Sequence, residues 1–246
     1  MVVNPTELQN NFDKYLKLCK IEEVIVSSNG KNIAMLVKYN EELLTNLYKE
    51  GVICEKSLEY HSENTKTSYE DFLKMKDASD KHYEFINGQI YLMASPSYTH
   101  QKIQSNLFLI FGNWFKGKNC TPLVSPFDIT LTDHEDNKNV VQPDIVIICN
   151  PEEMLDEKDR YIGTPSLIVE ILSKATRSRD MVLKLNLYMS SGVKEYWIIN
   201  TFNKEIHLYL FENNEISETR TWKIGESTES IVFKGLTANL GDVFSI

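Results

Sequence analysis

The sequence predicts an α/β (α+β) protein: a mixed β-sheet core flanked by helices, preceded by a small helix–hairpin–helix module. Three observations carry this. Two short apolar runs, VVQPDIVIIC (residues 140–149) and PSLIVEIL (165–172), read as central strands buried on both faces. A helical stretch from Arg179 or Asp180 to Ser190 separates the second run from KEYWIIN (194–200), an order that suggests a strand–helix–strand crossover. Two Asn-Gly dipeptides, Asn29-Gly30 and Asn87-Gly88, each lie between β-rich runs, which is a hairpin signal.

The N-terminal module comes first. Asn4 is placed as a helix cap, Pro5 at the first helical position and Glu7 three residues after the cap. Leu8, Phe12, Tyr15, Leu16 and Cys19 then recur at helical spacing and make one apolar face. EEVIVSS and KNIAMLVKY flank Asn29-Gly30 as the two strands of a hairpin. Asn40 can cap a second helix running from Glu41 to about Glu50. A unit of this size is small to be stable alone, so dimerisation or docking is expected. The chain is expected to divide into residues 1–60, a linker at 61–67, and a second domain at 68–246.

The second domain opens on Ser68-Tyr69-Glu70-Asp71, a capping box before a short helix. HYEFINGQIYLM is a hairpin around Asn87-Gly88, with Glu84 on its first strand. From about Thr99 to Lys116 the residues Ile103, Leu107, Ile110, Phe111 and Trp114 keep helical spacing, marking a long core helix. TPLVSPFDITLTD reads as one strand bent at Pro126, and DHEDNKN as a charged turn. After the central stretch, EIHLYLF, EISETRTW and SIVF read as strands of a peripheral meander.

Composition bounds the function. The 246 residues are 42% hydrophobic, enough for a real core and against disorder. The net charge of −9 argues against a nonspecific polyanion binder. It leaves room for a nuclease, which concentrates acidic groups at a metal site. Cys19, Cys54, Cys120 and Cys149 are far apart, with no CxxC pair, so zinc is not expected; they read as reduced thiols of a cytosolic protein. No signal peptide and no apolar run of membrane-spanning length is visible, so the expected location is cytoplasmic with no membrane partner.

The chemistry concentrates between Val140 and Lys184. Asp144 and Glu170 each place one carboxylate inside a buried apolar run, which is costly unless the group is paired or binds metal. Two carboxylates on adjacent strands can converge on one hard divalent cation, and a nearby lysine can orient water or offset charge on phosphorus. The plainer readings are a strand-end Asp144 bonding a turn, a Glu84 that is exposed or paired with Lys81, and a solvated Lys184.

Pro143-Asp144, followed 26 positions later by Glu170-Ile171-Leu172, resembles the PD-(D/E)XK nuclease superfamily. The ordered runs YEFINGQIY, SPSYTHQ, VSPFDITL, VVQPDIVIIC, GTPSLIVEILSKATRSRD and GVKEYWIIN resemble the Uma-type restriction-endonuclease family over about residues 69–212. The resemblance implies a restriction-endonuclease-like fold, DNA as substrate and Mg²⁺ or Mn²⁺ as cofactor. It implies Asp144 and Glu170 as metal ligands, with Glu84 as a third metal-holding carboxylate. Leu172 stands where the superfamily pattern has its lysine, and the resemblance passes that role to Lys184, with Lys174 as competitor. His100, Gln101 and Asp128 match family positions that could line the site.

Residues 1–50 are similar to the Phd/YefM antitoxin module, which implies a homodimer and operator DNA binding. Ser27, Ser28 and Asn29 stand where that family often has arginines, leaving Lys31 as the nearest cation, and residues 1–66 carry 8 Lys/Arg against 10 Asp/Glu. The expectation is a Mg²⁺-dependent DNA endonuclease fused to this module. The alternative is a nuclease-fold protein without turnover that binds DNA in a toxin–antitoxin-like system.

Overall fold

The computed structural model describes residues 1–19, 21–28, 30–36, 66–173 and 179–246. The chain divides into two compact units, Met1–Glu55 and Lys56–Ile246. The expected helix from Glu41 to Glu50, most of the linker, and Lys174 lie outside the described residues.

In the first unit, β1 (Val2–Val3) runs parallel to β2 (Val24–Ser28), which pairs antiparallel with β3 (Lys31–Leu36). Helices α1 (Pro5–Asn10) and α2 (Phe12–Leu18) replace the single predicted helix. Asn4 caps α1 as expected, its side chain accepting from the Glu7 amide at 2.8 Å. Val3, Tyr15, Val24 and Val26 form the small core.

The second unit contains most of the predicted elements, with three departures. α3 (Tyr69–Asp77) is capped by Ser68. The hairpin β4 (Tyr83–Ile86) and β5 (Gln89–Leu92) turns on Asn87 and Gly88, both with positive φ. α4 (Tyr98–Phe115) is the long core helix. The sequence from Thr121 to Asp133 does not form one bent strand. It gives β6 (Cys120–Val124) and β7 (Ile129–Thr132), which belong to different sheets. VVQPDIVIIC likewise divides into β8 (Lys138–Val141) and β9 (Ile145–Cys149). Proline explains both breaks: Pro126 and Pro143 have no amide hydrogen to continue a ladder.

β10 (Tyr161–Ile162) and the central β11 (Leu167–Ile171) follow. Arg179–Lys184 is wound as a π-helix that runs into α5 (Leu185–Ser190). β12 (Glu195–Asn200) is parallel to β11, as the strand–helix–strand order predicts. β13 (Glu205–Glu212) and β14 (Glu215–Lys223) extend the sheet antiparallel. The predicted strand SIVF is absent; β15 (Ser227–Glu229) lies just before it and pairs with β16 (Thr237–Asn239), ahead of α6 (Leu240–Val243).

Among the described residues, two sheets dominate the second unit, ordered β14-β13-β12-β11-β9-β6 and β10-β7-β8-β4-β5. The six-stranded sheet is covered on both faces. Ile145, Ile147, Val169 and Trp197 pack with Ile103, Leu107 and Phe111 of α4. Val146, Ile148, Ile168, Leu172 and Tyr196 pack with α5 and the five-stranded sheet. Side chains alternate along a strand, so Glu170, between Val169 and Ile171, falls on the second face with Ile168 and Leu172.

Cys120 and Cys149 are cross-strand partners on β6 and β9 and form a disulfide, with Cα atoms 4.0 Å apart. This corrects the reading of all four cysteines as reduced thiols. The pairing arises from strand register across 29 residues and leaves no local spacing signal.

Candidate active site

The site forms where the chain passes from the five-stranded to the six-stranded sheet. Asp144 stands at this crossing, directly after Pro143 and before β9. Its Oδ2 accepts from the Ile171 amide at 2.7 Å and lies 3.2 Å from His100 Nε2. The backbone is pinned too: buried Gln104 donates through Nε2 to the Asp144 carbonyl at 2.7 Å and to Ser125 Oγ at 3.0 Å. Gln101 donates to Gln104 Oε1 at 2.9 Å. One side of α4 thus holds the aspartate in place.

Val169 opposite Ile145 is the last pair of the antiparallel ladder, and just beyond it the Asp144 carboxylate reaches the Ile171 amide, next to Glu170. Glu170 Oε1 accepts from Lys184 Nζ at 2.7 Å and from Tyr188 Oη at 2.6 Å. Lys184 Nζ also lies 2.8 Å from Glu84 Oε1 and 3.7 Å from Asp180 Oδ1. Glu84 Oε1 further accepts from the Gln142 amide at 3.0 Å, and Arg179 Nη2 is 3.5 Å from its Oε2.

Glu84, Glu170 and Lys184 therefore meet, with Asp144 beside Glu170. His100 joins through Asp144. Asp128 is one residue removed: it accepts from Gln142 Nε2 at 2.8 Å and pairs with Lys76. Sequence reasoning did not single out Asp180, Tyr188, Arg179, Gln142 or Gln104 for the site. Asp180, Lys184 and Tyr188 recur every four residues, and that spacing on one helical face was the available signal. The π-turn carrying the first two is a form often found at functional sites. Leu172, at the usual lysine position, is buried in the apolar cluster against α5.

Burial opposes ionisation of Glu84, but Lys184 and Arg179 outweigh it and hold the carboxyl below its usual range. Burial raises Glu170 well above that range against the pull of Lys184, helped by Asp180, Asp144 and Glu84. Burial works against the Lys184 ammonium, yet Glu170 and Glu84 raise its pKa, so it stays protonated. Four carboxyl groups (Glu84, Glu170, Asp180, Asp144) gather around two cations (Lys184, Arg179), and the raised Glu170 is the one most readily neutral.

Among the described residues, no three His, Cys, Asp or Glu side chains are gathered as a ready metal-holding group. The donor chemistry of Asp144 and Glu170 nonetheless fits a hard divalent cation, because both offer carboxylate oxygens at adjoining positions.

Residues 69–241 match the family model described as "Uma2: Putative restriction endonuclease". The chain belongs to this family. Two Synechocystis relatives align with it: "Uncharacterized protein slr1290", 29% identical over 58% of this chain and 74% of that protein, and "Uncharacterized protein sll1609", 24% identical over 63% and 84%. A solved structure from Anabaena variabilis, titled as a putative nuclease belonging to DUF820, superposes with a TM-score of 0.57 at 20% identity, covering 72% of this chain and 97% of that one. The likeness shows that the Uma2 chain has the nuclease-like fold expected of it. The match begins at residue 69, so residues 1–68 lie outside the Uma2 region.

Proposed function

We propose that the chain is a Mg²⁺- or Mn²⁺-dependent DNA endonuclease. The observation that carries this is the Asp144 carboxylate bonded to the Ile171 amide next to Glu170, with Lys184 held against Glu170 at 2.7 Å. Asp144 and Glu170 would hold the metal, and Glu84 completes the carboxylates of the pocket. A bound divalent cation supplies Lewis acidity to the phosphate and to the attacking water. Lys184, an ammonium fixed by two carboxylates, cannot take a proton from that water; it orients the water or offsets charge developing on phosphorus. With Leu172 committed to the apolar core, the lysine reaches the site from the helix instead of the strand. The antitoxin-like module of residues 1–60 would pair two chains or bind operator DNA, and the cytoplasm is the compartment that suits both activities.

Cleavage of supercoiled plasmid and of single-stranded DNA in Mg²⁺ or Mn²⁺ tests this. D144N, E170Q and K184M should each lose about 10²-fold or more in rate. Absence of cutting on every DNA with either metal sinks the reading. One observation favours the second reading, a DNA-binding regulator without turnover: Lys184 sits between Glu84 and Glu170, at 2.8 and 2.7 Å, and already neutralises them in part. A gel shift that persists in Mn²⁺ with intact DNA would select it.

A further inference from the structure

We infer that Glu84 is a positioning residue for Lys184 and not a ligand of the metal; this rests on the nuclease reading, in which Asp144 and Glu170 are the ligands. The side chains are arranged by depth. Asp144 is 14% exposed, Glu170 4%, Lys184 1% and Glu84 0%. An ion arriving from solvent meets Asp144 first, then Glu170. Glu84 is the most deeply buried of the four.

One of its oxygens is engaged, and the other faces a cation without a hydrogen bond. Oε1 accepts from Lys184 Nζ and the Gln142 amide, and Oε2 faces Arg179. A divalent cation on Glu84 would stand beside an ammonium and a guanidinium, where like-charge repulsion in a dry interior is strong. Lys184 also meets Glu170 at 2.7 Å and Asp180 at 3.7 Å, where, among the described residues, no guanidinium stands within ion-pair distance of Glu170. Behind Glu84 the hydrogen bonds lead away from the metal side, through Gln142 to Asp128 and Lys76. The carboxylate on the hairpin strand thus fixes the height and direction of a lysine delivered by a separate helix.

Mn²⁺ titration of the full chain by calorimetry is the test. D144N should lose at least about tenfold in Mn²⁺ affinity, while E84Q keeps the wild-type value within error. Equal losses for E84Q and D144N overturn the inference. If wild-type protein binds no Mn²⁺, the metal reading fails by itself, and Glu84 is judged by urea unfolding in metal-free buffer. There the double variant E84Q/K184M should be less destabilised than the summed effects of E84Q and K184M; additive effects overturn the inference. Where the nuclease cuts, E84Q should lower kcat about 10–100-fold with KM for DNA unchanged, and a raised KM with unchanged kcat contradicts it. E84D, which keeps the charge and shortens the reach, serves if E84Q does not fold: retained Mn²⁺ affinity supports positioning and lost affinity does not.

Discussion

A carboxylate taken fully out of water needs partners, and this chain satisfies Glu84 and Glu195 in opposite ways. Glu84 is met by cations. Glu195 is met by neutral donors: Trp197 Nε1 at 2.5 Å, Ser230 Oγ at 3.1 Å, and the amides of Ile231 and Val232 at 2.9 and 2.8 Å. Burial raises the Glu195 pKa against these hydrogen bonds. Glu195→Ala would orphan all four donors, so it should cost about 3–5 kcal/mol in urea unfolding, while Glu195→Gln, which keeps an acceptor, should cost clearly less. Asp144 and Glu170 stood out in the sequence because a charge inside an isoleucine–valine run is costly unless it is paired. Glu195 lies in a similar run, yet the donors other than Trp197 sit 35 to 37 residues downstream, where no sequence pattern links them. His100 is a residue whose charge the site controls. Burial lowers its pKa, but the hydrogen bond and charge of Asp144, with Asp180 behind, raise it overall. A raised histidine contributes stability that is complete below the unfolded value of about 6.5 and is lost as pH rises through the folded value. In metal-free protein, NMR titration should place His100 above an ordinary histidine, and D144N should move its midpoint down. A His100 midpoint that ignores D144N would contradict the pairing.

At the scale of elements, period and punctuation gave most of what could be read. The Asn-Gly hairpins, the Ser68 cap, α4 and the β11–helix–β12 crossover all follow from local signals. What local signals cannot tell is which sheet a strand joins. The run around Pro126 reads as one bent strand and the run around Pro143 as one central strand, whereas each divides between two sheets. That division matters for function, since it leaves Asp144 at a crossing where α4 must hold it. Gln104 is the clamp. Gln104→Leu should cost about 1–2 kcal/mol of stability through the broken hydrogen bonds, and it should weaken Mn²⁺ binding about tenfold as an outer-layer change. Calorimetry beside urea unfolding separates the two effects; stability loss without any change in Mn²⁺ affinity would make Gln104 structural only. The Cys120–Cys149 bridge is a second consequence of register. Thiol titration of denatured protein should therefore find two more thiols after reduction than before, and C120S or C149S should abolish that difference.

At the scale of the molecule, the two units have separate cores. Val3, Tyr15, Val24 and Val26 serve the first, while the large clusters on both faces of the six-stranded sheet serve the second. In the sequence, hairpin and helix signals close off an N-terminal stretch before the capping box at Ser68. The job of the first unit was not legible there, because its small core and balanced charges suit dimerisation, operator binding and restraint of the nuclease equally well. Truncation separates these. All the side chains of the site lie between Glu84 and Tyr188, within the second unit. A chain of residues 66–246 should therefore unfold cooperatively and bind Mn²⁺ with full-length affinity. If the first unit restrains the nuclease, removing it should raise the cleavage rate; if it only pairs chains or grips DNA, cleavage of saturating DNA should stay constant. In the second case the mass in solution, or the KM and its salt dependence, should change. Every phosphate that is no longer neutralised by a lysine or arginine flattens the dependence of log affinity on log salt by about 0.9. A salt series on both lengths of chain therefore counts the phosphates that the first unit neutralises. An unchanged slope with a halved mass would assign residues 1–60 to dimerisation alone.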